Sequence, residues 1–262
     1  MEESYSIRRI QKLSGHSKSK LERIKNYWLN QIPKEKWDYQ NFKYLLLDGT
    51  YFHQEGCFFL IMDAMTQDII FNAYIEKEGY YSVIQFFKSL KEQKLDPHAF
   101  TTDGHRAILR ALKEIWPQAN FQRCLYHIQR EGLRWLRTYP KTDAGKQLRI
   151  ILKQLHLIRS HAQKLAFFKR YQTWSKTYKN WIETLPKQSV ACKDLKKTRT
   201  LIDRSIPDLF HYLNDKNIHS TTNLLESFFS RLKADFRRHR GLSKAHKIAY
   251  LKWYCFFKNR AK

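Results

Sequence analysis

Residues 43–75 read KYLLLDGTYFHQEGCFFLIMDAMTQDIIFNAYI. Three apolar, β-prone runs, 43–52, 57–65 and 68–75, are separated by short polar or glycine-containing stretches, the pattern of an antiparallel meander. In this stretch the first run is apolar without alternation until Asp48, so it reads as a central strand carrying a carboxylate at its end. Burying a carboxylate is costly without compensation.

Downstream, Val83, Phe86, Phe87 and Leu90 line one face of a predicted helix from Tyr80 to Gln93. HAFTTD (98–103) is a fourth strand, a helix follows from about His105 to Ile115, and NFQRCLYH (120–127) is a fifth strand or extended segment. Three strands, helix, strand, helix, strand imply a mixed sheet with helical crossovers, hence an α/β fold.

From 128 to 219 helical periodicity recurs through GKQLRIILKQLHLI, AQKLAFFKRYQTWSKTYKNWIETL and KDLKKTRTLI, with no convincing strand, so this region reads as an all-helical insertion. In the final segment, 220–262, Leu225, Phe228, Phe229, Leu232 and Phe236 share a helix face, and after Gly241 a second apolar-faced helix runs to about Lys258. At the other end, 1–42 holds two short helices broken at Ser14-Gly15, with Ile7, Ile10 and Leu13 on one apolar face and Leu21, Ile24 and Trp28 on the other. These fit either a helix-turn-helix that exposes Lys18, Lys20, Arg23 and Lys25 to a DNA groove, or a two-helix prefix packed on the main domain.

Forty-nine Lys and Arg against 24 Asp and Glu leave a formal charge of +25 on 262 residues. With 7 Trp, 15 Tyr and 17 Phe interleaved, this is a folded basic surface rather than a disordered tail, and a polyanionic partner follows. No apolar run approaches the roughly 20 residues that span a bilayer and no signal peptide opens the chain, so the expected location is intracellular. Cys57, Cys124, Cys192 and Cys255 lie far apart, which indicates reduced thiols rather than a disulfide framework.

Asp48 and Asp103, at the ends of neighbouring strands, could share a divalent cation such as Mg²⁺, which prefers hard oxygen ligands. The competing reading is that Asp48-Gly49 and Asp103-Gly104 are ordinary turn dipeptides. For Glu226 the competing reading is a helix cap with Asn223. Against that, Asn223, Glu226, Ser230, Lys233 and Arg237 share one polar face, an acid followed by cations along a single ridge. Trp135, Trp174 and Trp181 in the insertion are core fillers or surfaces for an unpaired base.

The strings LLLDGTYF, TTDGHRAI, FQRCLYHIQR and TTNLLESFFSRLK resemble, in order, the motifs of Mutator-like transposases and their bacterial insertion-sequence relatives. The likeness runs from about residue 43 to 240. It implies a ribonuclease H-like catalytic domain, begun by 43–127 and completed by 220–262, with the helical insertion 128–219 before the last catalytic helix. It further implies Asp48, Asp103 and Glu226 as ligands of two Mg²⁺ ions, with Mn²⁺ able to substitute, about 4 Å apart. Cys124 and His127, the Cys-x-x-His signature of that group, are implied as active-site support; zinc would need about four ligands. The implied activity is DNA cleavage at transposon ends and strand transfer into target DNA. Arg231, Lys233, Arg237, Arg238 and Arg240 are expected on the DNA, together with Lys18, Lys20 and Arg23. A homo-oligomer on DNA in the bacterial cytoplasm or nucleoid, and no membrane, complete the expectation. The alternatives are a catalytically silent or truncated transposase-derived DNA-binding protein, suggested by the short N-terminal segment, and a ribonuclease H-like nuclease.

Overall fold

A computed structural model describes residues 5–52, 56–239 and 241–260. Its centre is a five-stranded sheet made of β1 (Tyr44–Tyr51), β2 (Cys57–Asp63), β3 (Ile69–Ile75), β4 (Ala99–Thr102) and β5 (Asn120–Arg123), in the order β3-β2-β1-β4-β5. β1, β2 and β3 form the antiparallel meander, and β4 and β5 run parallel to β1. The crossovers are α3 (Tyr80–Glu92) and α4 (Arg106–Ile115).

Helices cover both faces of the sheet, which is why β1 and β2 are apolar without alternation. Leu45, Leu47, Phe59 and Ile61 pack with Val83, Phe87 and Leu112 of α3 and α4. Leu46, Phe58 and Leu60 pack on the other face with Leu225 and Phe229 of α9 (Asn223–Phe236) and Tyr250 of α10 (Lys244–Arg260). Successive strand residues point to opposite faces, so Asp48 shares the side of Leu46, the side that α9 covers.

The insertion is helical as expected: α5 (Leu125–Leu136), α6 (Asp143–Lys153), α7 (His161–Thr184) and α8 (Val190–Ser205) enclose their own core of Ile128, Leu148, Leu152, Trp174, Leu195 and Ile202. Trp174 lies in that core and donates its Nε1 hydrogen to the Ala144 carbonyl at 2.8 Å; Trp135 is half-buried and Trp181 is exposed. The returning chain is tied to the sheet by Thr101 Oγ1 donating to the His219 carbonyl at 2.7 Å and by Leu125 N donating to Ser220 O at 2.9 Å.

The expectation for residues 120–127 needs correction. β5 stops at Arg123, and Cys124, Tyr126 and His127 belong to the start of α5 rather than to an extended segment. The helices α1 (Ile7–Ser14) and α2 (Lys18–Leu29) do form, separated by Gly15 at φ 68°, but their apolar faces are not sealed. Leu13 is 67% exposed and Trp28 45%, and of the two helices only Leu29 is buried. The C-terminal end of α2 is pinned to α10 instead: Trp253 meets Trp28 edge-on at 5.2 Å and donates its Nε1 hydrogen to the carbonyls of Trp28 and Gln31.

Candidate active site

Asp48 does not end its strand. β1 continues to Tyr51, and Asp48 pairs opposite Leu60 inside the ladder, so Asp48-Gly49 is not a turn. The Asp48 carboxylate takes a hydrogen bond from Gly49 N at 2.8 Å. Burial pushes Asp48 well above the ordinary carboxylate range; the negative charge of Asp103 adds to this, Glu78 and Glu226 contribute less, and the Gly49 bond opposes it. Asp103 follows β4 and does sit in a turn: its Oδ1 accepts from His105 N at 2.9 Å and from Thr102 Oγ1 at 3.3 Å.

Glu226 lies in the first turn of α9, yet the capping explanation fails. Thr222 occupies the cap position, and it makes no side-chain cap hydrogen bond. A sulfur contact fixes this helix end: the buried Cys124 Sγ, at the cap of α5, accepts from Thr222 N at 3.4 Å and from Thr222 Oγ1 at 3.5 Å. The starts of α5 and α9 are thereby held together. One turn along each, His127 Nε2 comes to 3.4 Å from Glu226 Oε1, with Arg130 at 3.9 Å from the same oxygen. Oε1 of Glu226 and Nδ1 of His127 are buried without a hydrogen-bond partner among the described residues. Burial lowers the His127 pKa, despite the opposing charges of Asp103 and Glu226.

One donor atom each from Asp48, His127 and Glu226 lies within 4.8 Å of the others, a group that could hold a metal ion. Asp103 is outside that group but lines the same cleft of about 360 Å³, with Glu78, Arg123 and Arg130. A larger groove of about 680 Å³ between α7 and α8 is lined by Leu165, Phe168 and Tyr171 and contains one acid, Asp203, which already accepts the Tyr171 hydroxyl at 2.6 Å. Size therefore does not single out a site; the converging acids make the smaller cleft the candidate.

Sequence reading missed Glu78, Arg123 and Arg130. Glu78 sits in the link from β3 to α3, where burial, then the charge of Asp103, raises its pKa; its Oε1 accepts a contact from Cys57 Sγ at 3.5 Å. Nothing in EKEGY announces it. Arg123 and Arg130 stand inside FQRCLYHIQR, but only the tertiary structure turns them toward the acids.

Of the cations expected on DNA, Lys18, Lys20, Arg23, Arg231, Arg237 and Arg238 are exposed, and Arg240 lies outside the described residues. Lys233, on the ridge of Glu226, is half-buried above the Phe52 ring; burial lowers its pKa, and Arg237 lowers it further. Among the described residues no helix is long and apolar enough to cross a membrane.

The model of the Mutator transposase family matches residues 61–244, well over half of the chain. The chain belongs to the Mutator family of transposases. Three of the four motif strings, those around Asp103, Cys124 and Glu226, fall inside this Mutator-family match. The chain is also similar to the transposase for insertion sequence element IS1201 of Lactobacillus helveticus, 28% identical over 154 residues. That alignment takes in 57% of this chain and 36% of the relative, so the chain spans little more than a third of the curated protein it matches.

Proposed function

We propose that this chain is a DNA transposase of the DDE type, with Asp48, Asp103 and Glu226 as metal-holding carboxylates. The observation that carries the reading is the convergence of Asp48 and Glu226, from a sheet strand and a helix far apart in the chain, with His127 to within 4.8 Å. The strand order β3-β2-β1-β4-β5, with only β2 antiparallel to its neighbours, supports a ribonuclease H-like domain.

The donor set fits a hard divalent cation. It is mainly carboxylate oxygen, one oxygen of Glu226 is buried without a hydrogen bond, and Asp48 sits among acids whose repulsion a cation would relieve. Mg²⁺, or Mn²⁺ in its place, would activate the attacking water or 3′-hydroxyl and stabilise the leaving oxygen. Asp48 feels the charges of both Asp103 and Glu226 and would be the acid shared by two cations. His127 orients Glu226 through its Nε2, while Cys124 acts through Thr222 to set the height of α9. Lys233 and Arg237 continue the ridge of Glu226 and meet phosphates of the same DNA strand, joined by Arg231, Arg238 and Arg240. Lys18, Lys20 and Arg23 contact DNA from the N-terminal helices. Pairing of two DNA ends requires a homo-oligomer, and the protein acts intracellularly, on DNA in the bacterial cytoplasm or nucleoid.

The test is to incubate the purified chain with duplexes carrying its own element's ends and Mg²⁺ or Mn²⁺, then map the 3′ ends. Wild type is expected to nick; Asp48→Asn, Asp103→Asn and Glu226→Gln are expected to bind DNA without cutting it. Metal-dependent cutting retained by any of these variants removes that residue from the triad.

A further inference from the structure

We propose that Arg123 is a substrate-contacting residue, a buried anchor for a non-bridging oxygen of the phosphodiester that is cut. The inference rests on the DNA-cutting reading above and deepens it. Arg123 ends β5, pairs in register with Thr102, and so stands beside Asp103, the residue that follows the neighbouring strand. Its side chain lines the cleft, yet the residue is only 9% exposed. Among the described residues Arg123 makes no ion pair, and its Nε is buried without a hydrogen-bond partner. A guanidinium cannot shed its charge at physiological pH, and a cation this buried without a counter-charge calls for an anion.

The nearby acids do not supply that anion. Asp208 acts on Arg123 through space but is taken by Lys113 Nζ at 3.1 Å. Asp103 also acts on it but stays beyond ion-pair distance, with its Oδ1 committed to His105 N and Thr102 Oγ1. The chain makes room for the guanidinium all the same. Gly104 adopts φ +84°, and a Cβ there would stand 1.7 Å from Arg123 Nε. A residue type and a left-handed backbone are both given over to keeping this cation at the floor of the cleft. Arg130 differs: its side chain is 48% exposed, stacks on Tyr126 and faces Glu226, so it sits at the rim.

A planar, forked donor beside carboxylates that hold cations suits a phosphate, whose oxygens can accept from the guanidinium while other oxygens face the metals. Charge that builds on the phosphoryl oxygens during transfer would strengthen this contact, so the effect falls on turnover rather than on DNA affinity. The Arg130 rim contact carries no such requirement.

The experiment compares wild type, Arg123→Lys and Arg123→Gln by single-turnover nicking of a terminal-end duplex in Mn²⁺, by titration with pyrophosphate in Ca²⁺, and by thermal melting without ligand. Arg123→Gln is expected to lose about 10²–10³-fold in cleavage rate with little change in half-saturating DNA, Arg123→Lys to lose less, and pyrophosphate affinity to fall in the same order. Replacing the scissile phosphate by a methylphosphonate should slow wild type more than Arg123→Gln, because only wild type has the contact to lose. Melting temperature is expected to hold or rise in Arg123→Gln, since an unpaired buried charge is removed. Variants that melt early or fail to fold would give Arg123 a structural role and overturn the proposal, as would wild-type cleavage and pyrophosphate affinity in Arg123→Gln. A wild type that binds pyrophosphate through Arg123 but never cuts DNA overturns the transposase reading and leaves the anion site standing.

Discussion

Two Asp-Gly pairs face one cleft from adjacent parallel strands, and the same dipeptide is used in opposite ways. At 48–49 the strand runs straight through: Asp48 is paired in the ladder opposite Leu60, and Gly49 is small because Glu78 and Cys57 crowd it, a Cβ there falling 2.0 Å from Glu78 Oε1 and 2.7 Å from Cys57 Sγ. At 103–104 the strand has ended: Asp103 caps a turn, and Gly104 supplies a left-handed residue that lets Arg123 lie against it. The first acid is placed by sheet pairing in a desolvated position, the second by local hydrogen bonds just past the end of β4. A carboxylate held by the ladder bears the cost of burial; one held in a turn has its oxygen bonded by the turn itself.

The largest effect that separates the two is on Asp48. Asp48→Asn and Asp103→Asn should each cut DNA at least about 10³-fold more slowly, the loss of several kcal/mol of metal-borne stabilisation. Their stabilities should diverge. Asp48→Asn should melt about 2–4 °C higher than wild type without metal, and lose the rise that Mg²⁺ gives wild type. Asp103→Asn, whose amide oxygen can still accept from His105 N, should melt within about 1 °C of wild type. The pH dependence has a definite sign. An acid whose folded pKa is raised carries no penalty below the unfolded value, near 4, and the penalty grows as pH rises until it is complete above the folded value. Metal-free wild type should therefore lose stability over that window and Asp48→Asn should lose less; equal slopes would break the comparison.

Next come the glycines. Gly104→Ala should cost about 3 kcal/mol in denaturant unfolding, from the left-handed backbone and the displaced guanidinium together. Gly49→Ala has an ordinary backbone and should cost about 1–2 kcal/mol from overpacking alone. Shortening the neighbour in Gly49→Ala/Glu78→Ala should recover part of the second loss, whereas Gly104→Ala/Arg123→Ala should keep the backbone share of the first.

Cys124 extends the contrast to the third acid, which neither strand holds. Cys124→Ala leaves the buried Thr222 N–H without its acceptor and should cost about 1–2 kcal/mol, with cleavage falling more than stability alone explains because α9 carries Glu226. Unchanged cleavage would mean that α9 is positioned by its packing on the sheet alone. The smallest effect is expected for Glu78→Gln, which relieves a buried charge next to Asp48 and should raise the metal-free melting temperature by about 1–2 °C.

The sheet was legible because strands buried on both faces read as unbroken apolar runs, and an Asp inside such a run stands out. Asp103 was legible for the same reason at the end of β4. The end of β5 was misread, because NFQRCLYH offers no breaker between Arg123 and the first turn of α5, and helical periodicity becomes visible only from Ile128 onward. Glu226 was found by the motif string, while its surroundings, with no cap bond and its free oxygen turned to His127, were not legible at all.

The sequence by itself determined the mixed sheet, the helical stretch after it and the net basic charge, since each depends on local pattern or on composition, and it nominated the acids. Tertiary structure alone decided that Asp48, His127 and Glu226 meet, that Cys124 contacts Thr222 at the start of α9, and that Glu78 and Arg123 enter the cleft. The physical reason is that these are contacts between elements distant in the chain. Backbone propensity and periodicity fix which way a side chain faces within its own element, but only the packing of that element against another fixes what it meets.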